Sequence, residues 1–407
     1  MGGGWLFLAS LLLLAAILLH QGTLLLVSLL LFLISGISHL WARYAMNRLE
    51  YSRKLSTNRA FWGEEVNLEI GIANRKLLPL PWVRIDDELD EGITLLAGKT
   101  TPSHKPGRVV LRKLLPLGWY HRITHVYPIR CLRRGYFAFG PTRIKAGDYF
   151  GLYEREKEIQ DLSYLMVYPR IVPLEELGIP SRDPFGDIRL RSHLFQDPVR
   201  AVGTRDYAYG DPLKHIHWKT TARVRRLQTK VFEHTTTMDM GLFLDVRTLA
   251  PPLWGEVPQL LETAVVAAAS IASYATSHGY RVGLFVNQSY RYSNRTMRLA
   301  PSSHPDQFMH ILEALAQVNS PEYFSIDKLV QREGYNLPWV STMVVVTAAP
   351  TAALISALIS FRRAGRPVSL VRVGGEKFTS SPAGLTVYHV PAEIPWEKVE
   401  SVRVVPA

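Results

Sequence analysis

Two long apolar runs occupy the start of the chain and dominate its hydropathy pattern. The first covers Trp5 to Leu19, the polar tripeptide His20-Gln21-Gly22 follows it, and the second covers Thr23 to Trp41 without a charged residue. A membrane-spanning helix needs roughly 20 apolar residues. The second run has this length, and the first approaches it if Gly2 to Gly4 extend it. The pattern predicts a transmembrane helical hairpin over residues 1–42.

The charges that flank the hairpin predict its orientation. Five cations follow the second run closely: Arg43, Arg48, Arg53, Lys54 and Arg59. The turn carries none, and cytoplasmic flanks of spanning helices are enriched in Lys and Arg. The chain is therefore expected in the cell inner (plasma) membrane as a multi-pass protein with its soluble domains in the cytoplasm. A cleaved signal peptide is the alternative, but the first residues carry no positive charge and a second apolar run follows.

Residues 55–173 show a strand pattern, with apolar and polar positions that alternate with a period of two. Val66–Ile72 and Trp82–Ile85 alternate in this way, and Arg122–Leu132 and Tyr164–Tyr168 are further candidate strands. Turn residues separate these segments, and no segment has a convincing helical period. The pattern predicts a β-sandwich-like domain.

Residues 238–407 instead alternate short apolar runs with segments of helical period. The predicted strands are Met240–Asp245, Tyr280–Val286, Met343–Thr347 and Pro367–Val373, and the predicted helices are Gln259–His278, Asp306–Val318 and Thr351–Ala364. Strands that alternate with helices indicate an α/β doubly wound sheet. Ligands of such sheets bind at the carboxyl ends of the strands. Asp245 and Thr347 end two predicted strands and are therefore candidate site residues.

Residues 174–237 connect these two domains and hold the densest group of charged and aromatic side chains in the chain. The candidate interaction residues are Arg205, Asp206, Tyr207, Gly210, Asp211, Lys214, His217, Trp218, Lys219 and Arg223. Such a group is costly to fold unless its charges pair or face a ligand. The structural interpretation is a network of ion pairs, with Ile216 and Trp218 packed at the domain junction.

The central motif resembles the signature of a known family. Residues 205–223 read Arg-Asp-Tyr-x-x-Gly-Asp-Pro-x-Lys-x-Ile-His-Trp-Lys-x-x-Ala-Arg, and the signature extends to residue 233. Further matching pieces are Trp62-Gly63-Glu64, Arg133-Arg134-Gly135-Tyr136 and Asp148-Tyr149-Phe150-Gly151-Leu152. Together they resemble the domain of unknown function 58 family. The resemblance implies a membrane-anchored bacterial protein with a β domain and a C-terminal von Willebrand factor A-like domain. No enzymatic activity is established for that family, so the resemblance implies architecture more than chemistry.

The same resemblance implies a degenerate metal site. The metal site of von Willebrand A domains uses Asp-x-Ser-x-Ser after the first strand, with a Thr and an Asp from later loops. These oxygen ligands suit magnesium. Here the first element reads Asp245-Val246-Arg247-Thr248-Leu249, and the later one reads Thr347-Ala348. Arg247 places a cation where the metal would lie, so we expect no bound metal and an ion pair between Arg247 and Asp245.

Two other function classes remain open. Asp211, His215 and His217 could ligate zinc in a metal-dependent hydrolase. A net charge of +12 favours anionic partners, and eight Lys or Arg lie between Val199 and His234 beside aromatic side chains, as in proteins that bind single strands. Nucleic acid is nevertheless an unlikely partner, because no known nucleic-acid-binding module is visible and the anionic membrane lipid explains the charge.

The expected function is therefore that of a non-enzymatic adaptor without a cofactor. No phosphate-binding loop, dinucleotide-binding fingerprint, nucleophile elbow or zinc-protease motif occurs in the sequence. The resemblance implies two partners, a MoxR-type AAA+ ATPase and a transglutaminase-like membrane protein.

Overall fold

The chain divides into two compact units. The computed structural model describes residues 4–177, 179, 196–209, 213, 216–234, 238–249, 257–290, 295–319, 324–339, 341–375 and 384–392. The first unit comprises Met1–Arg170 with Leu315–Gln317, and the second comprises Ile171–Ala314 with Val318–Ala407.

The first unit begins with two helices that contact each other, α1 (Gly4–Leu18) and α2 (Gly22–Ala45). At about 1.5 Å per residue, α1 is roughly 22 Å long and α2 roughly 36 Å, against a hydrocarbon core of roughly 30 Å. Among the described residues, α2 and Pro258–Ser277 have the length and composition of spanning helices, and Pro258–Ser277 is mostly buried. The predicted second run is thus one helix, whereas the described part of the first is shorter than a full span.

Twelve strands follow in the first unit. They are β1 (Leu49–Leu55), β2 (Arg59–Ala60), β3 (Glu65–Asn74), β4 (Leu80–Asp90), β5 (Thr94–Leu95), β6 (Thr100–Pro102), β7 (Arg108–Leu117), β8 (Arg122–Arg130), β9 (Gly135–Phe139), β10 (Thr142–Gly147), β11 (Glu154–Ile159) and β12 (Ser163–Val167). They form sheets of order β1-β3-β8-β5, β11-β10-β4-β7-β6 and β2-β12-β9. The predicted β domain is present, and its first strand begins at Leu49, before the predicted start at residue 55.

The alternation along β3 explains how these sheets pack. Val66, Leu68 and Ile70 are buried, whereas the residues between them are exposed. These three side chains share a core with Leu89 of β4 and Leu111 of β7, which belong to another sheet. The period of two therefore turns one face of each sheet towards the other, as predicted.

The second unit starts with a short 3-10 helix, Leu174–Leu177, and continues with β13 (Gln196–Asp206), α3 (Trp218–Val224) and β14 (Gln228–His234). β13 and β14 pair with each other in an antiparallel two-stranded sheet. The sequence pattern did not predict this pair, because polar residues and α3 separate the two strands.

The rest of the second unit is an α/β fold. Its elements are β15 (Asp239–Leu244), α4 (Pro258–Ser277), β16 (Arg281–Ser289), β17 (Thr296–Leu299), α5 (Gln307–Ala316), α6 (Ile326–Asn336), β18 (Thr342–Thr347), α7 (Ala352–Arg363), β19 (Val368–Val373) and β20 (Thr386–Val390). One sheet has the order β17-β16-β15-β18-β19-β20, and only β17 runs antiparallel to its neighbour. All predicted strands and helices of this region are present, and α6, β17 and β20 are additional.

Burial explains why β15 lies in the middle of this sheet. Every residue of β15 is buried, and so is every residue of β18 beside it. Continuous apolar runs of this kind suit parallel strands that are covered on both faces. Three parallel neighbours, β16, β15 and β18, therefore end at the same edge of the sheet.

Candidate functional site

The carboxyl edge of this sheet brings three polar side chains together. Asp245 follows the last residue of β15, Asn287 lies near the end of β16, and Thr347 ends β18. All three residues are buried, with exposed fractions of 1% or less. The sequence predicted Asp245 and Thr347 at this edge, and the structure brings them together.

The Asp245 carboxylate accepts several hydrogen bonds. Asn287 Nδ2 donates to Oδ1 at 2.7 Å, and Thr347 Oγ1 donates to Oδ2 at 2.9 Å. The backbone N–H of Arg247 donates to Oδ1 at 3.1 Å. Burial raises the pKa of Asp245, while the Arg247 cation and these donors oppose that rise. The carboxylate is therefore held by donors from three separate segments.

The donors are themselves fixed. Asn287 Oδ1 accepts from the N–H of Val246 at 2.9 Å, and its Nδ2 also donates to the Phe324 carbonyl at 2.9 Å. Thr347 Oγ1 accepts from the N–H of Ala349 at 3.1 Å. Sequence reasoning missed Asn287, although a polar residue that follows the apolar part of β16 is the same signal that identified Asp245.

Arg247 supplies the cation at this edge. Its Nη2 lies 3.7 Å from Oδ2 of Asp245, so the predicted ion pair is present. The arginine side chain is 12% exposed, and the carboxylate is fully buried. Arg247 Nε and Nη2 are buried and have no hydrogen-bond acceptor among the described residues. Asp245, Arg247, Asn287 and Thr347, here called the edge site, thus place a buried carboxylate beside a cation whose Nε and Nη2 find no acceptor in the described part of the chain.

The edge site contains one carboxylate, and within the described parts of the chain no group of three or more His, Cys, Asp or Glu side chains could hold a metal ion. The zinc hypothesis for Asp211, His215 and His217 is a different matter. Asp211 and His215 lie outside the described residues, as do Gly210 and Lys214 of the central motif. That hypothesis stays a prediction.

The described part of the central motif begins where β13 ends. Gln228 Nε2 of β14 donates to Asp206 Oδ1, and a guanidinium N–H of Arg205 donates to the Asp206 carbonyl at 3.2 Å. The N–H of Tyr207 donates to the Leu227 carbonyl at 2.9 Å. These bonds connect the motif to the two-stranded sheet.

The second half of the motif forms the start of α3. His217 caps this helix, because its Nδ1 accepts from the N–H of Thr220 at 3.1 Å. Ile216 is buried, but Trp218 is 67% exposed, so the expectation that both side chains are packed at the domain junction is wrong for Trp218. Lys219 and Arg223 are also exposed. The motif therefore presents an aromatic ring and two cations on its surface.

Comparison with known proteins finds a family match that covers the central motif and part of the α/β sheet. Residues 203–334 match the family described as "Protein of unknown function DUF58". The uncharacterized protein YeaD of Bacillus subtilis (strain 168) is 26% identical over 215 residues, which are 51% of this chain and 50% of that protein. The match thus spans half the length of that relative.

Solved structures resemble parts of the chain only weakly. A CARDB domain from Pyrococcus furiosus is 8% identical, covers 30% of this chain and 96% of its own, and has a TM-score of 0.21. A type II cohesin domain from Acetivibrio cellulolyticus is 9% identical, covers 29% of this chain and 94% of its own, and has a TM-score of 0.23. The family match therefore remains the informative comparison, and it includes the central motif together with Asp245, Arg247 and Asn287.

Proposed function

We propose that this chain is a membrane-anchored, non-enzymatic adaptor that docks a partner protein through the carboxyl edge of its α/β sheet. The observation that carries the proposal is Arg247. Its guanidinium stands beside a buried carboxylate, yet Nε and Nη2 have no acceptor among the described residues. Buried donors without acceptors are costly, and an incoming acceptor removes that cost.

The anchoring part of the proposal is supported by α1 and α2. The large apolar side chains of these helices face outwards, and most of their leucines are exposed. Water disfavours such a surface, whereas a bilayer favours it. Arg43 and Arg48 at the end of α2 support an orientation with that end in the cytoplasm.

The strand order of the six-stranded α/β sheet, β17-β16-β15-β18-β19-β20, supports a von Willebrand A-like domain. Five parallel strands with an antiparallel β17 at one edge are compatible with that fold, and the edge site lies where such domains hold their metal. In this chain the Arg247 cation lies beside Asp245 in place of the serine-rich sequence. Docking would then rely on the guanidinium and not on a bridging metal ion.

The chemistry of Arg247 points to an acidic side chain on the partner. A guanidinium presents N–H groups in a planar fork that matches a carboxylate. The resemblance to the domain of unknown function 58 family suggests a MoxR-type AAA+ ATPase as the partner, with a transglutaminase-like membrane protein in the same assembly. We propose that an Asp or Glu of the ATPase binds Arg247.

The experiment that tests this proposal is a pull-down of the tagged full-length protein in mild detergent, with mass spectrometry of the bound proteins. We expect a stoichiometric AAA+ ATPase with the wild-type chain and its loss with Arg247→Gln. The matched control is Arg281→Gln, because Arg281 pairs with Asp239 at the opposite, amino end of the same sheet, at 2.5 Å. The control variant should retain the ATPase.

Two outcomes would contradict the adaptor proposal. If no ATPase is bound by the wild-type chain at native expression levels, the proposed partner is wrong. If Arg247→Gln and Arg281→Gln retain the ATPase equally, the carboxyl edge is not the docking surface.

Single-stranded nucleic acid is the second candidate partner, and the exposed surface of α3 favours it. Trp218 is 67% exposed, and Lys219 and Arg223 are four residues apart on one face of the helix. Aromatic stacking beside cations holds single strands. Fluorescence anisotropy with a labelled oligonucleotide should show affinity that falls steeply with salt and that Trp218→Ala weakens.

A metal-dependent hydrolase is the remaining alternative. His217 Nδ1 is engaged in capping α3, so only its Nε2 is available to a metal. Metal analysis of the purified full-length chain decides this alternative. Stoichiometric zinc that is lost on His217→Ala would replace the adaptor proposal.

A further inference from the structure

The C-terminal half of α2 is packed against the β sheets. Ser35, Ser38, Ala42 and Ala45 are buried at spacings of three or four residues, so they lie along one face of the helix. Ser35 Oγ lies 2.9 Å from the hydroxyl of Tyr153, which begins the connection into β11. The helix is therefore joined to the β sheets along this face.

One segment that contacts this face is the loop between β10 and β11, residues 148–153, here called the interface loop. The Asp148 carboxylate accepts from the N–H of Phe150 at 3.0 Å and from the N–H of Tyr153 at 2.9 Å. Trp82 Nε1 donates to the Asp148 carbonyl at 3.2 Å. Gly151 adopts a φ of 71°, which permits the tight turn. These bonds fix the backbone of the loop.

The fixed backbone holds two large apolar rings away from the β sheets. Tyr149 and Phe150 are each 62% exposed, although the loop has a buried carboxylate at its base. Tyr149 contacts Trp41 of α2 edge to face, with ring centroids 5.3 Å apart, and Tyr153 contacts His39 in the same manner at 5.2 Å. The exposed Tyr149 ring thus stands directly beside the end of the apolar helix, and Phe150 is its neighbour in the loop.

The depth of these contacts along α2 indicates what covers the rings. Ser35 and Trp41 are six residues apart, which corresponds to roughly 9 Å along a helix axis. Trp41 ends the uncharged run, and Arg43 follows it. Amphipathic rings such as Trp and Tyr prefer the boundary between headgroups and acyl chains. The loop therefore runs beside the part of α2 that crosses this boundary.

We infer that the interface loop is a second membrane anchor, which inserts Tyr149 and Phe150 into the headgroup–acyl boundary of the leaflet from which α2 emerges. The inference rests on the proposed anchoring by α2. Lipid is the occupant to which the geometry points, because the Tyr149 ring packs on Trp41 at the end of the exposed apolar surface of α2, and Phe150 adds a second exposed ring beside it in the sequence. Two attachments, a helix and a loop, would fix the tilt of the β sheets relative to the bilayer.

The test uses site-specific fluorescence of the full-length chain in vesicles of phosphatidylcholine and phosphatidylglycerol. Single cysteines replace Phe150, Leu31 of α2 or Leu96, and each carries the polarity-sensitive dye NBD. Leu31 and Leu96 are matched in exposure at 44% and 46%. Leu96 directly follows β5. This strand pairs with the C-terminal end of β8, whereas Arg122 lies at the N-terminal end of β8. The wild-type chain serves as the unlabelled blank. Its native Cys131 is buried, and burial raises the pKa of the thiol to about 11, so that it should react little with the dye.

Doxyl-labelled lipids then report the depth of each dye. We expect strong quenching of position 31 by deep doxyl groups, quenching of position 150 by shallow ones, and no quenching of position 96. Tyr149→Cys is a second reporter in the loop, in case Phe150→Cys disturbs folding. The two loop positions should behave alike.

The outcomes separate this inference from the proposed anchoring. If position 31 is quenched but positions 149 and 150 are as accessible to aqueous iodide as position 96, the loop is not an anchor, although α2 is. If position 31 is not quenched, anchoring by α2 fails and the inference fails with it. If positions 149 and 150 become inaccessible only when another protein is added, a protein covers the rings and the inference is overturned.

Discussion

Each unit of the molecule has a buried aspartate whose surroundings can be compared, Asp87 beside Arg53 and Asp245 beside Arg247, and the two pairs differ in how completely their hydrogen bonds are made. In the β sheets, Asp87 and Arg53 have fully buried side chains and are 2.7 Å apart. In the α/β sheet, Asp245 and Arg247 are 3.7 Å apart, and Arg247 is 12% exposed. A charge that is buried without enough partners is costly, so this difference separates a structural pair from a candidate binding site.

The Asp87 pair is complete on both sides. Tyr51 Oη donates to Oδ2 of Asp87 at 2.8 Å, and Thr142 Oγ1 donates to Oδ1 at 2.8 Å. Arg53 in turn donates to the Asp161 carbonyl and to Ser163 Oγ. Burial raises the pKa of Asp87, and Arg53 and the hydroxyl donors oppose the rise. A pair of this kind connects β1, β4, β10 and β12 without an unused donor that would attract a ligand.

Breaking the Asp87 pair is expected to have the largest effect. Arg53→Met leaves the Asp87 carboxylate buried without its cation, which should reduce the free energy of unfolding by about 3–5 kcal/mol. The double variant Arg53→Met, Asp87→Leu removes both charges and should be more stable than Arg53→Met. Chemical unfolding of the full-length chain in detergent measures both. A double variant that is less stable than the single one would contradict the structural role assigned to this pair.

Removing the edge-site cation should instead reduce binding. A charge-assisted hydrogen bond contributes about 1.5–3 kcal/mol, so Arg247→Gln should weaken binding of the proposed ATPase partner by roughly 10- to 150-fold. Titration of the purified ATPase against the chain in nanodiscs measures the dissociation constant. Arg281→Gln is again the control and should change it little. Equal weakening by both variants would mean that the loss is not specific to the edge site.

A change at Asp245 tests whether the Asp245–Arg247 pair contributes less to stability than the Asp87–Arg53 pair. Asp245→Asn keeps a carbonyl oxygen for Asn287 and the Arg247 N–H, but it leaves Arg247 without a neighbouring carboxylate. Because Arg247 reaches water, the loss of unfolding free energy should be about 1–2 kcal/mol, smaller than for Arg53→Met. Chemical unfolding under the same conditions provides the comparison. A loss as large as that of Arg53→Met would show that both pairs are equally structural.

The same contrast explains how far the sequence could predict the molecule. Period-two and helical patterns located β3, β15 and α4 closely, because burial of one face dictates the spacing of apolar residues. The pairing of β13 with β14 was not predictable in this way, since it depends on backbone hydrogen bonds across an intervening helix. The polar composition of α6, with Asp, Lys, Gln, Arg and Glu among its residues, hid that helix.

The edge site was predicted in part for a topological reason. Asp245 and Thr347 each follow a buried strand, and parallel strands place such residues at one edge. Arg53 and Asp87 were not predicted as a pair, because they lie on different strands and only tertiary packing brings them together. The exposure of Trp218 was likewise not encoded in its local pattern, since a large aromatic side chain is more often buried.

Lys76 is a third buried charged residue, and it should have the smallest effect on stability. This effect should depend on pH. Lys76 Nζ donates to the carbonyls of Ala45 at 2.7 Å and Asn47 at 2.8 Å, where α2 ends. Burial lowers its pKa from 10.5 to about 8. Between these values the unfolded chain binds the proton that the folded chain has lost, so stability should rise with pH from about 8 to 10.5. The rise should be smaller than burial alone would give, because both carbonyl acceptors also stabilise the charged ammonium and oppose the effect of burial. Thermal unfolding in detergent across this range measures it, with Lys76→Met as the control that should lack this contribution. If the stability of the wild-type chain instead falls over this range by more than that of Lys76→Met, Lys76 stays charged in the folded state. Its two carbonyl acceptors would then offset its burial more completely than Arg53 and the hydroxyl donors offset that of Asp87.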